Sequence, residues 1–212
     1  MRINELYSMT NWNTFYGPII EGQFCLEFLD EWLKTNRKNY TRIIVLTDSN
    51  VNEKCLPMFL GELKNIGETA IIEIEPGESS KSFEIVSQLN LALLENNADR
   101  KSLLISLGGG VISDIGGFLS SIYMRGIDHI IVPTSLLSMI DASIGGKNGV
   151  NIQSYKNLSG TFSSSKGVFI YPNFLKSMNQ KDLISGFSEI IKHAMLSSES
   201  LWKDCINCSS SS

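Results

Sequence analysis

The sequence has no run of eighteen apolar residues, and its first ten, MRINELYSMT, lack the basic-then-apolar build of a secretory leader. A membrane-spanning helix and a cleaved signal are therefore not expected, and the chain reads as cytoplasmic. Charge is sparse: acidic and basic residues make up 19% of the 212, with 22 Asp and Glu against 18 Lys and Arg, a net charge of −4. That balance excludes a global pull on nucleic acid or an anionic membrane, so any anion site must be local. Histidine occurs twice, at His129 and His193, and cysteine four times. Cys25 and Cys55 stand alone among apolar residues and read as buried free thiols. Cys205 and Cys208 form one C-x-x-C in CINCSSSS. One such pair is half a zinc site with no second half, and this serine tail is expected to be disordered.

What remains is a globular composition, 42% hydrophobic, in which strand-like and helix-like segments alternate. IIVLT (43–47) is a β-branched run closed by Asp48-Ser49-Asn50, which can cap a helix over 52–66. AIIEIE (70–75) ends at Pro76-Gly77-Glu78, and an amphipathic helix is expected from Ser80, with Phe83, Val86, Leu89, Leu93 and Leu94 on its apolar face. SLLISL (102–107) precedes three glycines and a helix through Tyr123; HIIVP (129–133) precedes a short helix through Asp141. GGKNGVNIQSYKNLSGTF suggests loops or a hairpin, VFIY (168–171) a further strand, and the stretch from Gln180 to about Ser198 a helix. Fully apolar strands separated by helices predict an α/β fold whose parallel sheet is covered on both faces. Ligands of such sheets bind beyond the carboxyl ends of the strands. The polar clusters fall there: Asp48 and Asn50, Glu78, Gly108 to Gly110 with Asp114, then Thr134 and Ser135.

Glycines 108–110 allow close approach of a bulky anion to the N-terminus of the next helix. Asp114, in its first turn, can complement the helix dipole or accept hydrogen bonds from a ligand. Arg125, Lys147, Lys156 and Lys192 lie in segments otherwise poor in charge. Each alone reads as a solvated surface cation; together with Asp141, Asn157 and Glu189 they could form a pocket for a phosphorylated or carboxylated small molecule. Asp141 sits in an apolar stretch, where burial would require a partner. Glu189 is followed by Lys192 and His193 on one helix, so an ion pair or a two-ligand metal clip is possible. His129 opens a strand and reads as structural.

The ordered set TDSNV, PGESSKSF, GGGVISDIGGF, YMRGI, VPTSLLSMIDASIGGKNGVN, KNLSGTF and ISGFSEIIKHAM resembles the 3-dehydroquinate synthases, within the sugar-phosphate cyclases, over about residues 43 to 198. The resemblance implies a Rossmann-like NAD-binding domain over 1–172, followed by the beginning of an all-helical metal and substrate domain over 173–212. It implies cofactor contacts from Asp48, Asn50, Glu78, Lys81, Gly109, Gly110, Val111, Asp114, Thr134, Ser135, Lys156 and Ser177. Substrate would be held by Arg125, Asp141, Lys147, Asn157 and Lys192, and Glu189 would be one ligand of a divalent metal, zinc or cobalt. The implied substrate is 3-deoxy-D-arabino-heptulosonate 7-phosphate, converted to 3-dehydroquinate and phosphate in the shikimate pathway. The implied partner is a second copy in a homodimer, with no nucleic acid and no membrane. Transient oxidation by NAD would acidify a neighbouring C–H bond so that phosphate can leave.

Two histidines that complete the family's metal site do not occur in this sequence, and His193 is not expected to replace them. The chain is therefore expected to be a shortened form, without substantial cyclase activity by itself. The first helix of the second domain is expected to leave an apolar face uncovered. The alternatives are a polyol or alcohol dehydrogenase of the glycerol dehydrogenase type, and a non-catalytic NAD-binding protein.

Overall fold

Residues 10–197 and 199–209 are described by the computed structural model of the protein. The described residues begin with a hairpin, β1 (Thr10–Thr14) and β2 (Gly17–Glu21), and helix α1 (Cys25–Asn36). Next come β3 (Ile43–Asp48), α2 (Ser49–Lys54), α3 (Leu56–Glu62), β4 (Thr69–Ile74), α4 (Phe83–Glu95), β5 (Leu103–Gly108), α5 (Gly110–Ile122) and β6 (Asp128–Pro133). A second hairpin, β7 (Lys147–Ile152) and β8 (Tyr155–Phe162), precedes β9 (Gly167–Ile170), α6 (Gln180–Ser197) and α7 (Glu199–Ser209). Among the described residues, seven strands form one sheet in the order β1-β2-β9-β6-β5-β3-β4, in which only the β1–β2 pair is antiparallel.

Alternation along the buried strands assigns the helices to two faces. Ile43 and Val45 pack with Leu26, Leu29 and Leu33 of α1 and Phe59 of α3, whereas Ile44 and Leu46 pack with Val86 and Leu89 of α4 and Ile115 and Leu119 of α5. Each of these side chains, fully buried, contributes about 1.5–3 kcal/mol. The expected parallel α/β sheet with helices on both sides is thus present.

Several boundaries differ from the sequence reading. The helix expected over 52–66 is two helices, because Pro57 lies in the first turn of α3 and cannot continue the hydrogen bonding of α2. Asp48 does cap α2, accepting from the Val51 N–H at 3.0 Å. Residues Glu78–Ser80 form a 3-10 turn instead of a helix start, and α4 begins after Ser82, whose hydroxyl accepts from Ile85 N. Phe83 and Leu94, expected on its buried face, are exposed at 42% and 57%. The segment 147–162 is the hairpin, not irregular loop. The tail expected to be disordered is helical through Ser209, with Cys205 buried. Leu201, Trp202, Cys205 and Ile206 carry a helical spacing that the serine run obscured. The side chain of Cys208 lies outside the described residues. On α6 the apolar face of Leu183, Phe187, Ile190, Ile191 and Ala194, expected to be left uncovered, is half-buried to buried, whereas Ile184, Met195 and Leu196 outside it are 63–77% exposed.

Candidate functional site

The strand order fixes where a crevice must open. From β3 the chain moves outward to β4, then returns to place β5 on the other side of β3. The loops after β3 and β5 therefore diverge, leaving a crevice at their carboxyl ends. Here Asp48, Asn50, Gly109, Thr134, Ser135 and Ser177 line one cavity of about 270 Å³. Ser177 arrives from the 3-10 turn after β9, its hydroxyl 3.3 Å from the Cys55 sulfur. Burial pushes the Cys55 thiol pKa up, so it stays neutral beneath the cavity. Gly109 precedes α5 and lines the cavity, and the N-terminus of that helix has no side-chain cap there. A Cβ on Gly109 would stand 3.3 Å from the Ser135 hydroxyl, inside this passage. Lys54, Asn179 and Asp182 also line the cavity and were not singled out by sequence.

A polar network adjoins it. Gly77, at φ +107°, turns the chain after β4 so that Lys81 points inward. The Lys81 side chain is 5% exposed, and its ammonium donates to the carboxylate of Asp114 and the amide oxygen of Asn157. Burial raises the Asp114 pKa; Lys81 pulls it back, while Glu78 and Asp141 push it further up. Glu78 accepts from the Asn151 amide at 2.8 Å and lies 3.8 Å from the Lys156 ammonium. Asp114, Lys147 and Asn157 line a second cavity, of about 310 Å³, beside Asn148 and Thr161 of the hairpin. The hairpin sits this close because position 117 is glycine: a Cβ there would overlap the Asn148 amide.

A third cluster stands where α6 meets the turn after β6. Gly186 admits Leu136, whose Cβ would be 2.7 Å from a Cβ on that residue. This contact brings Asp141, Glu189 and His193 together, with one potential ligand atom of each within 4.8 Å of the others. Lys192 forms an ion pair with the buried Oε1 of Glu189, which also lies 3.5 Å from His193 Nε2. The Glu189 carboxylate raises the Lys192 pKa, with a smaller contribution from Asp141. Asp141 itself is exposed, so the buried partner expected for it is not required. Its charge is felt by both Asp114 and Lys192.

Of the residues singled out by sequence, Arg125 stands apart. It follows the last turn of α5, about 20 Å of helix from the glycine turn. It is exposed and lines none of the three cavities or clusters above. His129, read as structural, is buried with Nε2 2.8 Å from the Ser106 hydroxyl.

The family described as 3-dehydroquinate synthase N-terminal matches residues 71–185, more than half of the chain. The chain belongs to the 3-dehydroquinate synthase family. A 3-dehydroquinate synthase of Prochlorococcus marinus is 38% identical over 185 residues, 87% of this chain and 50% of the relative. One of Enterococcus faecalis is 44% identical over 162 residues, covering 76% of this chain and 45% of the relative. The chain thus spans about half the length of the curated relatives it matches. Among solved structures, the 2-epi-5-epi-valiolone synthase ValA of Streptomyces hygroscopicus, with NAD+ and Zn2+ bound, is 29% identical at a TM-score of 0.74, covering 86% of this chain and 50% of that one. A 2-deoxy-scyllo-inosose synthase shares the fold at a TM-score of 0.79 and 23% identity, covering 87% of this chain and 51% of that one. The lining of the crevice comes from four separated loops, those after β3, β5, β6 and β9.

Proposed function

We propose that this chain is the dinucleotide-binding part of a 3-dehydroquinate synthase that turns 3-deoxy-D-arabino-heptulosonate 7-phosphate into 3-dehydroquinate and phosphate. The observation that carries the reading is the convergence of Asp48, Asn50, Gly109, Thr134, Ser135 and Ser177 on one crevice at the sheet's switch point. NAD would lie there, with Asp48, Asn50, Glu78 and Lys81 toward its adenosine end. Gly109, Gly110 and Val111 would run along the pyrophosphate, where free helix N–H groups meet negative charge. Asp114 would orient the nicotinamide half, with Thr134, Ser135, Lys156 and Ser177 completing the contacts. Bound NAD supplies a hydride acceptor that later returns the hydride to the same sugar.

Lys147 and Asn157 line the adjoining cavity and would hold the anionic sugar, with Lys192 and Asp141 closing it from the α6 side. Arg125 takes no part in this pocket within one chain. Glu189 Oε1, which faces the Lys192 ammonium and lies 3.5 Å from His193 Nε2, fits a divalent cation, and Asp141 and His193 are the donors within reach among the described residues. A metal held there would polarise a substrate hydroxyl. Lys192, now neutralising Glu189, would then be released to bind substrate phosphate or carboxylate. Residues 173–212 would be the start of the helical substrate domain, set against the NAD-binding domain of 1–172.

The test is calorimetric titration of the 212-residue protein with NAD. One site per chain is expected, and no binding would overturn the reading. With substrate and zinc, phosphate release by the chain alone is expected to be negligible, because His129 is buried in the sheet and only His193 is near Glu189. Net accumulation of NADH with simple alcohols would instead favour a dehydrogenase.

A further inference from the structure

Asn151 belongs to none of the roles above, yet it touches three of the residues that carry them, Glu78, Lys81 and Asn157. The β7–β8 ladder pairs Val150 with Ser159 and then Ile152 with Tyr155. Lys156, Asn157 and Leu158 therefore bulge outward opposite Asn151, which is left outside the ladder. Its backbone N–H turns instead to the Lys81 carbonyl, at 2.8 Å, in a bridge with the loop before α4. Its side chain uses both ends. The amide NH2 donates to Glu78 Oε1 at 2.8 Å, and the amide oxygen accepts from the Asn157 backbone N–H at 2.9 Å. Asn157 holds φ +53°, a left-handed conformation that an asparagine adopts at some cost without a local hydrogen bond. Its own side chain then accepts from Lys81.

We infer that Asn151 is a positioning residue that couples the Glu78–Lys81 dinucleotide loop to the Asn157 turn of the substrate hairpin. The inference rests on the reading of the crevice as a NAD site. An aspartate could accept from Asn157 but could not donate to Glu78, and an alanine could do neither. Only a side chain with a donor and an acceptor on one planar group satisfies both neighbours. Binding of NAD against Glu78 and Lys81 thus fixes Asn157, and a ligand on Asn157 fixes the loop, as linkage requires.

The experiment is a calorimetric NAD titration of the full 212-residue chain and four variants, each checked by thermal melting. Asn151→Ala should weaken NAD binding by about fivefold to tenfold. Asn151→Asp should weaken it more, because two carboxylates would then face each other across the gap now spanned by a hydrogen bond. Asn151→Asp combined with Glu78→Gln reverses donor and acceptor, and should recover affinity relative to Asn151→Asp, up to the level of Glu78→Gln alone, which measures any direct contact of Glu78 with NAD. A residue that merely supports folding would not show this rescue. Wild-type affinity in Asn151→Ala, or no recovery in the folded double variant, overturns the inference while leaving the NAD site standing. Failure of the unaltered chain to bind NAD removes both. If Asn151→Ala does not fold, the comparison between Asn151→Asp and the double variant decides.

Discussion

The buried ammonium of Lys81 is paired with the carboxylate of Asp114, joining the loop after β4 to the second turn of α5, one turn further in than the sequence reading placed Asp114. With the two side chains 5% and 20% exposed, neither ion can be abandoned to water when the other is removed. Lys81→Met should therefore cost about 2–4 kcal/mol of unfolding free energy. Adding Asp114→Leu to it should return part of that loss, since an apolar pair leaves no unpaired charge. Urea denaturation of the two singles and the double measures the coupling. Additive losses in the double variant would show that the pair does not act as a unit.

Two glycines of the same helix region separate binding from packing. Gly109 has ordinary backbone angles, φ −76° and ψ −169°, so a side chain there strains nothing but fills the crevice beside Ser135. Gly109→Val should weaken NAD binding by more than about tenfold with little change in melting temperature. Gly117→Ala should do the reverse of that pattern in origin: its methyl displaces the hairpin through Asn148, costing about 1–3 kcal/mol of stability first. Calorimetry and melting on both variants distinguish them. A Gly109→Val protein that binds NAD normally would remove the pyrophosphate from this turn.

The sheet was legible because β3, β5 and β6 are largely apolar runs that end in polar or glycine loops, as parallel strands buried on both faces require. The crevice was legible for the same reason: its lining residues sit at strand ends. Other features depend on long-range geometry. The break before α3 follows from Pro57 once its register in the helix is known, but periodicity alone runs through it. The separation of Arg125 from the pocket follows from the length of α5, which motif order does not express. Asn151 was hidden inside the quoted GVN because only the bulge in β7–β8 turns it toward Glu78. The β1–β2 hairpin and α1 lay outside the recognised motifs, although Leu26, Leu29 and Leu33 carry a helical spacing.

His129 gives the fold an acid limit. Burial holds its pKa down at about 3, against 6.5 for the ordinary imidazole. Between those values the unfolded chain takes up a proton that the folded chain refuses, so this stability is present above about 6.5 and is lost as pH falls toward 3. The slope is about 1.4 kcal/mol per pH unit within the window. His129→Gln keeps a hydrogen-bond partner for Ser106 and removes the titration. Its unfolding free energy should depend less steeply on pH than that of the wild type; parallel profiles would mean that His129 is protonated in the fold.

Lys147 separates the two ligands. It stands at the start of β7, exposed on the cavity that Asp114 and Asn157 share, and it lines no part of the crevice around Gly109. An exposed ammonium contributes little to the fold, so Lys147→Ala should leave the melting temperature nearly unchanged. Its lost charge-assisted hydrogen bond should weaken binding of inorganic phosphate in the presence of NAD by about tenfold. NAD affinity measured without phosphate should move by less than about twofold, within the range of an exposed charge at a distance. The ratio of the two changes is the informative quantity, because general damage to the site would lower both together. Equal losses would place Lys147 against the dinucleotide and move the sugar pocket elsewhere.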